Sequence, residues 1–176
     1  QAIVECEHAL MLDRNLAHAH ATIGFTKMII GRADETEAHI LDALRISPRD
    51  VMVYNWLCVA GMAKAALGRD EEAVTWLRRL IDANLNTERL IRFYSERLNM
   101  TPDRLNDHVK RATGVTAGHL IRQRVLTEAK RQLVFTGQAI HEIAYDLSFS
   151  DPSHFTRFFR KQTGMTPQSF REGRGG

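Results

Sequence analysis

Arg157, Arg160 and Lys161 fall within one short stretch, Asp151 to Pro167 ("DPSHFTRFFRKQTGMTP"), interleaved with Phe155, Phe158 and Phe159. In helical spacing Phe155 and Phe159 are i and i+4 with Phe158 beside them, whereas Ser153, Arg157 and Arg160 are i, i+4 and i+7 on the opposite stripe. One stripe suits a core and the other suits a polyanion. A guanidinium donates two parallel hydrogen bonds to guanine in the major groove, which makes Arg157, central on its stripe, the candidate base reader. Ser153, His154 and Thr156 flank it as further base readers. Arg160 and Lys161 lie near the helix end, where long cations reach backbone phosphate.

The same device occurs 50 residues earlier. Thr101-Pro102, Leu105, Val109-Lys110-Arg111, Thr113-Gly114 and Thr116 align with Asp151-Pro152, Phe155, Phe159-Arg160-Lys161, Thr163-Gly164 and Thr166. Each copy has proline just inside the helix start and glycine where a left-handed C-terminal residue is wanted. Each is preceded by a second helical segment, "IRFYSERL" or "IHEIAYDL". Helix, short turn, helix is the unit whose second helix lies in the major groove. In the first copy Leu105, Val109 and Ala112 are expected to face inward, with Asp103, Asn106, Asp107 and Lys110 facing out. Asn106 is then a candidate adenine reader. Asp103 and Asp107 are candidates that would repel phosphate unless one accepts from cytosine. Lys110 and Arg111 are the matching phosphate cations.

Between the copies runs a segment that can be helical from Thr116 to Phe135, roughly 30 Å long. That is close to the roughly 34 Å of one DNA turn, so two reading helices held so far apart would enter successive major grooves. Its stripe Ile121, Val125, Ala129 and Leu133 is expected to be core.

"EIAYDLSFSDPSHFTRFFRKQTGMTPQSFR" resembles the C-terminal signature of the AraC/XylS transcription regulators, and "YSERLNMTPDRLNDHVKRATG" resembles that family's first helix-turn-helix. The resemblance spans residues 74–172. It implies a bihelical reader of double-stranded DNA, with Arg157 and its neighbours at base-contacting positions. The sequence departs from the family at Ser148, where glycine is usual in the second turn, and at Ala139, where Ser or Asp usually caps. The first turn has Asn99, which tolerates a left-handed conformation better than Ser148 does.

The first half of the chain repeats differently. Ala9-Leu10 recurs as Ala43-Leu44, and Gly31-Arg32 as Gly68-Arg69, offsets of 34 and 37. Such a period, with glycine between amphipathic helices, is that of stacked helix pairs. Gly24, Gly61, Ala43 and Pro48 resemble tetratricopeptide positions over residues 1–85, although Lys27 and Lys64 replace the usual aromatic and Thr36 replaces the packing alanine. A half copy plus two is fewer than such arrays need, so another element must cover an end. The arc of apolar residues in "DEEAVTWLRRLIDANLN", Asp70 to Asn86, is too wide for one packed side, and one helix serving both halves is expected there.

Composition agrees with an intracellular, nearly all-α protein: 176 residues, 44% hydrophobic and 26% charged, four prolines, no strictly alternating window and no apolar run long enough for a membrane span. The division is 1–71 for tetratricopeptide-like repeats and 72–176 for the DNA-binding domain. Residues 1–71 carry a net charge of −3 and residues 72–176 carry +6, which assigns the polyanion partner to the second part. Cys6 and Cys58 read as small buried apolar residues. His18 and His20, two apart, point to different faces, and no metal site, catalytic group or cofactor motif is found. The expectation is a cytoplasmic, non-enzymatic, sequence-specific regulator that takes no nameable small effector and binds a protein partner through its repeats. The competing expectation is an interaction scaffold whose helix-turn-helix units do not read DNA.

Overall fold

A computed structural model describes residues 1–85 and 87–173, which leaves Asn86, at the end of the expected shared helix, outside the described residues. Among the described residues all regular structure is helical, as composition and periodicity predict. The helices are α1 (Ala2–Leu12), α2 (Ala17–Ile29), α3 (Thr36–Ile46), α4 (Val53–Ala66), α5 (Asp70–Ala83), α6 (Ile91–Arg97), α7 (Pro102–Thr113), α8 (Ala117–Phe135), α9 (Ile140–Asp146), α10 (Pro152–Thr163) and α11 (Pro167–Glu172), with a 3-10 turn at Ala33–Glu35.

In the first half each helix packs on the next. Gly31 and Gly68 take φ of 85° and 70°, and in each turn the following arginine amide donates five residues back, Arg32 to the Lys27 carbonyl and Arg69 to that of Lys64. This is the glycine-closed helix end that satisfies orphan carbonyls. The departures from the repeat pattern have a physical reason. Lys27 pairs with Glu35, and Lys64 with Glu72, the same device 37 residues on. Lys64, only 3% exposed, also meets Glu37 at 2.6 Å. Burial disfavours its charge, but the two carboxylates outweigh that and raise its pKa. The Thr36 hydroxyl donates to the Gly24 carbonyl at 3.0 Å, which satisfies a buried polar atom that alanine would lack. Cys58 is buried, as expected, and burial pushes its thiol up to about 11; Cys6 is only half-buried because α1 contributes no buried residue.

Helix α5 packs on α4 and also on α7 and α8, burying Ala73, Val74, Trp76, Leu77, Leu80 and Ile81. The division expected between residues 71 and 72 therefore falls inside a helix that both halves share. Contact with the first half extends to α6, where Arg97 lies 5.2 Å from the Tyr54 ring and Gly61 lies under Leu98. Beyond α6, helix α8 joins the two helix pairs α6–α7 and α9–α10, and α11 docks back on α8 and α10.

Candidate nucleic-acid interface

The two helix pairs share their turn geometry. After α6, Asn99 has φ of 50°, and after α9 Ser148 has φ of 58°; these are the described non-glycine residues with positive φ. In both turns the next amide closes a six-residue ring, Met100 to the Ser95 carbonyl and Phe149 to that of Ala144, each at 2.9 Å. The chain is thus reversed within a few residues and the second helix starts at a fixed angle.

Helix α10 begins with Pro152, and the Asp151 carboxylate accepts from the Ser153 amide at 2.7 Å. The Ser153 hydrogen bonds hold the Asp151 carboxyl below its usual range. Phe155 and Phe159 are fully buried. Edge-to-face contacts tie Phe155 to Phe149 at 5.2 Å and Phe159 to Phe170 at 5.3 Å, and Phe158 lies tilted against Phe149. The opposite stripe, Ser153, Arg157 and Arg160, is exposed, as are His154 and Lys161; Thr156 is half-buried. Among the described residues Arg157, Arg160 and Lys161 have no side-chain partner. Three exposed cations without carboxylate partners are available to an external anion.

Helix α7 is built the same way, with Pro102 at its start, Thr101 accepting from the Arg104 amide and Gly114 at φ of 75°. Leu105 and Val109 are buried, Ala112 is half-buried against the core, and Asp103, Asp107 and Lys110 are exposed. Two residues sit differently from the sequence expectation. The Asn106 Oδ1 accepts from the Ala117 amide at 3.1 Å, so the atom that bidentate adenine reading would use serves the first turn of α8 instead. Arg111 donates to both Asp70 oxygens, and His108 lies 2.6 Å from Asp70, so this cation is tied to α5 rather than open to phosphate. Arg111 first, then His108, holds the Asp70 carboxyl below the usual range against the cost of burial.

The 50-residue offset carried a signal for Asn106. Its counterpart is Thr156, and the counterpart of Ala117 is Pro167, which has no amide hydrogen to satisfy. Only the first copy needs a side-chain acceptor at that place. The same offset points to Arg104, the counterpart of His154, an exposed cation that the sequence reading passed over.

Helix α8 extends 19 residues, about 28 Å, with Thr116 as its N-cap, and its stripe Ile121, Val125, Ala129 and Leu133 is buried as expected. Arg131 pairs with Glu128, and Lys130 lies over the Phe170 ring. The usual capping side chain of α9 is missing at Ala139, but Glu142 accepts from the Ala139 amide at 2.7 Å and supplies the reciprocal half of the box.

The helix-turn-helix domain family matches residues 94–173. Those residues form a helix-turn-helix domain of the AraC/XylS type. The bifunctional transcriptional activator/DNA repair enzyme AdaA of Bacillus subtilis is 28% identical over 103 residues, covering 58% of this chain and 49% of that protein. The transcriptional activator RhaS of Escherichia coli is 30% identical over 82 residues, covering 47% of this chain and 30% of that protein. The chain thus spans less than half the length of these relatives. The solved C-terminal domain of AraT, a response regulator from Geobacillus stearothermophilus, is 26% identical with a TM-score of 0.51, covering 55% of this chain and 80% of that one. The AraC-type match starts at Tyr94 and leaves out α1 to α5. Among the described residues no helix is long and apolar enough to cross a membrane, and no cluster of metal-ligating side chains occurs.

Proposed function

We propose that this chain is a sequence-specific regulator of transcription that binds double-stranded DNA in the cytoplasm without enzymatic activity of its own. The observation that carries the reading is the exposed, unpartnered cationic stripe of α10 in a duplicated helix-turn-helix. Arg157 reads a base pair with Ser153, His154 and Thr156 around it, and Arg160, Lys161 and Lys110 grip phosphate. On α7, Asp103 and Asp107 face the second groove beside Arg104. Asn106 and Arg111 contribute there by orienting helices, given their bonds to Ala117 and Asp70. Residues 1–71 act as a tetratricopeptide-like platform for a protein partner. The recurrence of the lysine–glutamate pair 37 residues apart supports a repeated unit.

Selection of binding sites from random duplex DNA, followed by titration of the selected site in rising salt, tests this. A defined site should emerge, with affinity falling steeply between about 50 and 200 mM salt. Recovery of no preferred site, together with salt-insensitive binding, would instead fit an interaction scaffold.

A further inference from the structure

Arg89 lies between α5 and α6, yet its side chain reaches the turn between α9 and α10. Its Nε and Nη2 donate to the Ser148 carbonyl at 3.0 and 2.7 Å, and its guanidinium carbon stands 3.7 Å from the centre of the Phe149 ring. Arg89 is half-buried and makes no ion pair among the described residues, so its charge is committed to this turn. The turn is the one with an unfavourable residue. Ser148 holds φ of 58°, a conformation that costs an L-residue energy and that asparagine, used at φ of 50° in the first turn, adopts more readily. Phe149, under the guanidinium, is the ring on which Phe155 and Phe158 of α10 pack, at 5.2 and 5.3 Å.

We infer that Arg89 is a positioning residue for the second reading helix: it holds the strained Ser148 turn closed and, through Phe149, fixes the angle at which α10 presents Arg157. A planar guanidinium suits both tasks, because two of its N–H groups converge on one carbonyl while its face lies on an aromatic ring. The clamp also connects the segment that follows α5 to the reader more distant from the first half of the chain.

The consequence for DNA rests on the function proposed above, so the test has an arm that needs no DNA. Arg89→Ala, Arg89→Lys, Ser148→Gly and the Arg89→Ala/Ser148→Gly double variant are made in the full chain. Amide exchange is followed across Ala144–Asp151 and across the Asn99 turn, and affinity is measured for a duplex selected with the unaltered protein. Arg89→Ala should speed exchange in the Ser148 turn by on the order of tenfold, leave the Asn99 turn unchanged, and weaken duplex binding by a similar factor. Arg89→Lys, which keeps charge but loses the fork, should fall between. Glycine takes positive φ without strain, so Ser148→Gly in the Arg89→Ala background should restore protection of the turn and most of the affinity. Unchanged exchange in Arg89→Ala, or a loss that spreads equally to the Asn99 turn and that Ser148→Gly does not repair, overturns the inference. If the unaltered chain selects no duplex, the DNA function fails, and the exchange measurements still decide the clamp.

Discussion

Arg157 and Arg111 sit on corresponding helices, yet their surroundings give them opposite tasks. Arg157 is exposed and pairs with no carboxylate among the described residues, whereas Arg111 is held by Asp70. Arg157→Ala should therefore cost about 1–3 kcal/mol of binding and relax selectivity at one base pair, measured on the selected duplex and its single-base variants. Unaltered selectivity would remove Arg157 from the reading set. Lys64 shows the opposite use of a cation, as a buried tie between α3 and α5. Lys64→Ala leaves Glu37 and Glu72 facing each other, and because both carboxylates keep some exposure the loss should be about 2–3 kcal/mol in chemical denaturation. The pH dependence has a defined sign. Burial works against the Glu37 carboxylate, but the bonds from Lys64 and Trp76 outweigh it and lower its pKa; that of Asp70 is lowered as well. The stability they contribute is present above the ordinary carboxylate range and is lost as pH falls through the lowered values. The denaturation midpoint should start to drop below about pH 5, and Glu37→Gln should flatten that drop.

At the level of the helix, what was legible in the sequence is what depends on neighbours in the chain. The starts of α7 and α10 follow from Thr101-Pro102 and Asp151-Pro152, their ends from Gly114 and Gly164, and their buried faces from the i, i+4 spacing of Leu105 with Val109 and Phe155 with Phe159. What was not legible depends on which helix lies alongside. Nothing in the spacing of Arg111 reveals that Asp70, 41 residues earlier, stands next to it. Likewise, the spacing of Lys27 and Lys64, where the tetratricopeptide resemblance expects an aromatic, does not reveal that Glu35 and Glu72 stand beside them. This difference can be measured through salt. Neutralising Lys110, Arg160 or Lys161 singly should lower the slope of log affinity against log salt by about 1, nearly equally for all duplexes. Arg111→Ala should change that slope less, because Arg111 must leave Asp70 to meet a phosphate, and should instead reduce stability. Equal slope changes for all four would show that Asp70 releases Arg111 on DNA.

For the whole molecule, α5 decides whether the two halves are one cooperative body. Val74 and Leu77 line the same small space as Leu105, His108 and Val109 of α7 and Gly61 of α4, and Trp76 packs over Gly61. Asp70, the first residue of α5, anchors α7 through His108 and Arg111. The helix thus gives its apolar surface in two directions, to α4 and to α7 and α8, which explains an arc too wide for one packed side. Removing residues 1–69 should expose the α4-facing side of α5 but keep its contacts with α7 and α8. A chain beginning at Asp70 should then fold with reduced stability and keep its affinity for a selected duplex. A chain beginning at Thr87 loses Val74, Leu77, Leu80 and Ile81 from the core and Asp70 from α7, although it retains Arg89. It should give neither a cooperative unfolding transition nor duplex binding. If circular dichroism melting and titration show the Thr87 chain folding and binding as well as the Asp70 chain, α5 belongs to the first half alone and the AraC-type domain stands without it.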